Sequence, residues 1–236
     1  MFRTIAAVLA LLVASAGAAE KSGPGTVRWA EGVPNSTLRA SDDGHTYYGL
    51  SFEDFEVTLA VDRQELAMVP HRALPMIGVF VSLQYKGSGE LEIRQDKFAL
   101  EFLRHHRVVQ SALAPGVMLG MLRRDNDEVT HQTEKHVRKH PEDKQKEEAE
   151  LQARLKDITE MAEFVQTRAL QPGTLDATHP STSGWVFFST EDRWIGTLHP
   201  PEQFVLRLPV KNVMVEFPFQ LPPKVGKMEL RRRLGN

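Results

Sequence analysis

Residues 76–85 read MIGVFVSLQY, and this stretch decides the fold class. Ile77, Val79, Val81, Leu83 and Tyr85 fall on one side of an extended chain, with Gly78, Phe80, Ser82 and Gln84 on the other. A run of this period, rich in β-branched side chains, specifies a central strand. Upstream, Phe55, Val57, Leu59 and Val61 alternate with Glu56, Thr58 and Ala60, the pattern of a strand with one wet face. Downstream, Lys86-Gly87-Ser88-Gly89 supplies a turn, after which Leu91, Ile93, Phe98, Leu100 and Phe102 resume the alternation. Val108 and Val109 continue it to Ala114-Pro115-Gly116, where Pro removes a ladder donor and Gly favours a turn. His105-His106, between Arg104 and Arg107, reads as a wet strand end that discourages edge-to-edge association.

The composition then changes. From Asp125 to Ala169 there is no Gly and a single Pro, and good helix formers dominate. Leu151, Leu155, Ile158, Ala162, Val165 and Ala169 follow at steps of four and three, one narrow apolar stripe on a helix. The expectation is one long helix with Pro141 in its first turn, preceded by a shorter polar helix over Val129 to His140. No large apolar residue lies between Glu142 and Glu150, so that half projects into water while the C-terminal half docks; Glu150 and Arg154 form an i,i+4 pair. Gln171-Pro172-Gly173 ends the block. Alternation returns through Trp185, Phe187 and Ser189, then Phe204, Leu206 and Leu208, then Val213, Val215, Phe217 and Phe219.

The chain opens with Arg3, an apolar run from Ile5 to Ala14 and the small residues Ser15 to Ala19, the three parts of a cleavable secretion signal. The expected organisation is a signal peptide over 1–19, an irregular lead-in over 20–49 with a short extended piece at Thr26 to Trp29, and the first part of the β body over 50–116. A helical insertion over 117–171, the second part of the β body over 172–223 and a basic tail over 224–236 complete it. With 41% hydrophobic and 25% charged residues a sizeable core is available, and with no cysteine it must be held without disulfides or a lipid-bearing thiol. The net charge of −2 gives no reason to expect nucleic acid, and no later segment has the apolar length of a membrane helix. Periplasm or exterior is the expected location.

Strands before and after one helical block, without a strand-helix-strand rhythm, give the fold class: mainly β, an antiparallel immunoglobulin-like β-sandwich with a long charged α-helical insertion. Pro172-Gly173, Gly184 to Phe188, Phe204 to Leu208 and Phe217 to Pro222 resemble the last strands of bacterial extracytoplasmic immunoglobulin-like domains of unknown function. The resemblance implies an exported sandwich domain and carries no functional residues with it.

Few residues point to chemistry. His136 and His140 share one helical face near His131 and Glu134, a spacing that suits a transition metal, although Pro141 interrupts the helix directly after them. Met68, His71 and Met76 offer soft ligands of the kind Cu(I) takes. Asp42, Asp43, Glu53 and Asp54, beside Tyr47, Tyr48 and Phe52, resemble a sugar-recognising set. No Gly-x-Ser-x-Gly elbow or glycine-rich phosphate loop occurs in the sequence. The reading is therefore a non-enzymatic scaffold or interaction protein of the cell envelope without a cofactor. Its helical insertion meets another envelope protein or a second copy through Leu151, Leu155 and Ile158. The alternative is a metal-binding protein or metal-dependent enzyme using the helical histidines.

Overall fold

Alternating segments become strands and the charged block becomes helix in the computed structural model, which describes residues 25–105 and 108–224. The signal peptide and all but the first residue of the basic tail lie outside the described residues. One five-stranded sheet has the order β1 (Gly25–Arg28), β12 (Val213–Leu221), β11 (Glu202–Val210), β7 (Ala99–Phe102), β8 (Val108–Ser111). A second has the order β10 (Ser181–Ser189), β5 (Met76–Tyr85), β4 (Phe55–Asp62), β3 (His45–Ser51), β2 (Ser36–Ala40). A small ladder joins β6 (Leu91–Ile93) to β9 (Gly173–Leu175). The chain is mainly β, and among the described residues its strand pairings are antiparallel except that β1 runs parallel to β12, beside one isolated parallel bridge from Ala169 to Trp185.

The inward sides of both sheets share one apolar cluster. Val57, Leu59, Ile77, Val79, Val81 and Leu83 meet Phe204, Leu206, Phe217 and Phe219 there. Each such side chain contributes roughly 1.5–3 kcal/mol by leaving water, so the two flanking halves of the sequence are joined by their common interior. The lead-in is more ordered than expected, since it contains β1 and β2 and nearly all of β3. Its alternation is hidden because the inward residues of β3 include Thr46 and Tyr48 as well as Leu50. Trp29 packs edge-on against Tyr48, ring centroids 4.9 Å apart, and so ties the lead-in to the core.

Two further expectations are corrected. His105 is no wet strand end, since its Nε2 lies 3.3 Å from the buried Glu202 carboxylate, while His106 and Arg107 lie outside the described residues. The helical insertion is not a long helix behind a short one but a hairpin of two equal helices, α2 (Pro115–Lys139), which starts well before Val129, and α3 (Lys144–Arg168), which starts after Pro141, with a short α1 (Glu65–Met68) earlier in the chain. Each long helix has 25 residues, about 37 Å at 1.5 Å per residue. Pro115 stands at the N-terminus of α2, where a missing N–H costs nothing, so the turn signal that ends β8 also begins a helix. Met118 and Leu122 of α2 then bury the stripe residues Ile158 and Val165 of α3, together with Leu74, Met76 and Phe187. Arg154 does not pair along its own helix. It crosses to Asp125 of α2 at 3.0 Å and to the carbonyl of Ala73 at 2.7 Å.

The hairpin stands on one strand. The N–H of Leu113, just before α2, donates to the carbonyl of Phe187 at 2.8 Å, and the N–H of Leu170, just after α3, donates to the carbonyl of Trp185 at 2.9 Å. Both feet thus grip β10, the edge of the second sheet, and cover backbone groups that would otherwise be open to another chain. Among the described residues, no helix is long and apolar enough to cross a membrane.

Candidate functional site

The strand register places one row of side chains across the outer face of the second sheet. Arg39 pairs with Tyr47, Tyr47 with Ala60, Ala60 with Phe80 and Phe80 with Trp185. Their neighbours Tyr48, Leu59, Val79, Val81 and Val186 point to the core, so by the two-residue period this row faces outward. At its β10 end the Phe80 and Trp185 rings sit 6.1 Å apart at 74°, and α3 brings Phe164 to 5.8 Å from Trp185. Between α3 and the segment around α1 the surface opens into a cleft of about 550 Å³, floored by Trp185 and Phe187 and walled by Met68, Met161 and Phe164. Met68, 46% exposed, and Phe164, 37% exposed, stand together at this mouth, whereas the other exposed apolar side chains, such as Trp194, lie away from it.

The electrostatics of the cleft follow from one buried pair. Glu65 is 1% exposed, yet its carboxylate accepts a 2.7 Å hydrogen bond from Arg72 Nη2 and another from the backbone N–H of Gly78. Arg72 also donates to the carbonyl of Met76 at 2.7 Å. The one guanidinium of the cleft is therefore neutralised at its base, while Asp62, Asp157 and Glu160 stand around the aromatic walls. A carboxylate rim over electron-rich ring faces attracts organic cations, each contact being worth about 0.5–2 kcal/mol according to its desolvation.

The other expected sites fare differently. Tyr47 and Tyr48 face opposite ways: Tyr48 is buried, which pushes its hydroxyl up to about 12, and Tyr47 lies outward with Arg39 4.5 Å over its ring. The Tyr47 hydroxyl donates to Asp43 at 2.7 Å and, with the His45 N–H, holds that carboxyl down at about 2. Asp42-Asp43 and Glu53-Asp54 flank opposite ends of β3, roughly 20 Å apart at 3.3 Å per residue, so the four carboxylates form no single set. Met76 is buried in the apolar cluster under the hairpin, while Met68 and His71 line the cleft. Ile158 is buried in the cluster it shares with Met118 and Leu122 of α2, while Leu151 and Leu155 are half-buried.

His136 and His140 do stand together, ring centroids 4.8 Å apart, at the elbow where α2 ends. Pro141 does not weaken this grouping. It opens a short turn, Pro141–Asp143, that folds α3 back along α2 and brings Asp143 and Glu147 alongside His136. These two carboxylates, like Glu65, Arg72, Phe164 and Trp185, were not marked by the sequence. The only signal for Asp143 and Glu147 is their own spacing of four, repeated after the break.

No protein-family model, no curated protein and no solved structure matches this chain.

Proposed function

We propose that the chain is an exported, non-enzymatic interaction protein of the bacterial cell envelope, whose cleft at the root of the helical hairpin receives a basic side chain from a partner protein. Export is supported by Arg3, the apolar run and the small residues of Met1 to Ala19. An immunoglobulin-like sandwich as the scaffold is supported by two five-stranded, largely antiparallel sheets over one apolar interior.

The observation that carries the partner's chemistry is the make-up of the cleft. Four carboxylates, Asp62, Glu65, Asp157 and Glu160, line it against the single guanidinium of Arg72, and the rings of Phe164 and Trp185 stand among them. An arginine or lysine on a partner satisfies both features, because its stem covers ring and thioether while its head meets the rim. A neutral sugar can stack on the rings and donate hydroxyls to the rim, but it brings no charge to offset the carboxylates.

Titration with arginine-rich, lysine-rich and acidic peptides of equal length tests the proposal. Basic peptides bind, acidic ones do not, and Phe164→Ala or the pair Asp157→Asn with Glu160→Gln weakens binding at least about tenfold. Equal binding of acidic peptides, or indifference to both variants, overturns it.

A further inference from the structure

We propose that the elbow of the hairpin is a binding site for a divalent transition metal, with Zn²⁺ as its probe, independent of the cleft. Two pairs spaced four apart meet there: His136 on the last turn of α2 with His140 at its C-cap, and Asp143 and Glu147 leading into α3. The break at Pro141 lays one pair against the other. His136 Nε2 lies 3.6 Å from Glu147 Oε1 and 3.9 Å from Asp143 Oδ2, and His140 Nδ1 lies 3.4 Å from Glu142 Oε1. Ligand atoms of His140, Glu142 and Asp143 all fall within 4.8 Å of one another, so Asp143 is common to both histidines.

Two of these separations are too long for a hydrogen bond and the third is at its outer limit. They are close to what an ion requires. A tetrahedral centre with ligands at about 2.0–2.2 Å sets neighbouring ligand atoms about 3.3–3.6 Å apart, so the three pairs at 3.4–3.9 Å are near that spacing, and side-chain rotation must draw in the rest of the group, which spans up to 4.8 Å. Two imidazoles with carboxylates select a first-row ion such as Zn²⁺ over Mg²⁺ or Ca²⁺, which take oxygen alone. Binding would clamp α2 to α3 at the end farthest from the sheets. That end lacks the apolar contacts of Ile158 and Val165, and its histidines are about half exposed, so an ion can enter directly.

The test uses the full chain, purified without a histidine tag, stripped with chelator and titrated with zinc chloride against a chromophoric chelator. One equivalent binds at micromolar affinity or tighter and raises the thermal midpoint. His136→Ala with His140→Ala weakens that equivalent at least about tenfold and abolishes the rise, and the isosteric pair Asp143→Asn with Glu147→Gln weakens it by a similar factor. His131→Ala, an exposed histidine on the same helix outside the elbow, leaves it unchanged. Zinc affinity equal to wild type in both paired variants, or binding by the wild type only at millimolar zinc, overturns the proposal.

Discussion

The backbone N–H of Leu170 donates to the carbonyl of Trp185 at 2.9 Å, so the residue that ends the hairpin is fixed to the residue that floors the cleft. The helix wall and the sheet floor are therefore not free to drift apart without breaking a strand-edge hydrogen bond.

Gly184 makes this approach possible. A methyl group there would lie 2.4 Å from the N and 2.5 Å from the Cα of Leu170, both backbone atoms. Gly184→Ala is expected to destabilise the fold by about 1–3 kcal/mol in denaturant unfolding, and to weaken binding at the cleft as α3 is displaced. Wild-type stability in this variant contradicts the close contact.

The buried pair beneath the cleft is a stronger lever. Glu65→Ala leaves Arg72, whose side chain is 15% exposed, without its carboxylate, and also orphans the Gly78 N–H. The expected cost is about 3–5 kcal/mol by urea unfolding. Combining it with Arg72→Met recovers a large part of the loss, because no uncompensated charge remains. A double variant as unstable as Glu65→Ala alone contradicts the pairing.

On the first sheet, Glu216 is held between Arg28 Nε at 2.8 Å and Arg207 Nε at 3.0 Å. Burial pushes its carboxyl up, but these hydrogen bonds outweigh burial and hold it below the usual range. The folded value then lies below the unfolded one, so the unfolded chain binds more protons as pH falls. The stabilisation is complete above the unfolded glutamate value of about 4.3 and is lost as pH drops through the depressed folded value. Unfolding free energy measured from about pH 7 to pH 3 should fall more steeply in wild type than in Glu216→Gln in the acid range. Parallel curves contradict this.

Asp43 offers a spectroscopic check on the outer row. The Tyr47 hydroxyl is the largest cause of its low value of about 2, with the His45 N–H second. In Tyr47→Phe the carboxyl should titrate closer to the ordinary value of about 3.9, read by carbon NMR. A value that stays near that of wild type contradicts the hydrogen bond.

Strands with one apolar face were legible because period two survives in sequence: Phe55 to Val61 and Met76 to Tyr85 stand where alternation put them. β10 carries apolar residues on both faces, and their meaning became plain only when the hairpin was seen to cover Phe187 from outside. The hairpin itself was hidden by chemistry. Pro115-Gly116 reads as a stop although Pro also suits the first turn of a helix, and the apolar residues Met118 and Leu122, inside the expected insertion over 117–171, precede both of the helices expected within it. Half of the elbow was visible as the His136–His140 spacing, but Asp143 and Glu147 join it only through the fold at Pro141. Glu65 and Arg72 gave no local sign, since their pairing is fixed by how α1 settles onto the start of β5.

The cleft's preference for a cation is tested most directly by comparing one arginine-containing peptide with its citrulline counterpart, equal in shape and lacking the charge, by calorimetry on wild type and Trp185→Ala. The arginine peptide should bind wild type at least about tenfold more tightly than the citrulline peptide, and Trp185→Ala should erase most of that difference. Equal affinity of the two peptides for wild type, or a preference untouched by loss of Trp185, would contradict a cleft built for a basic side chain.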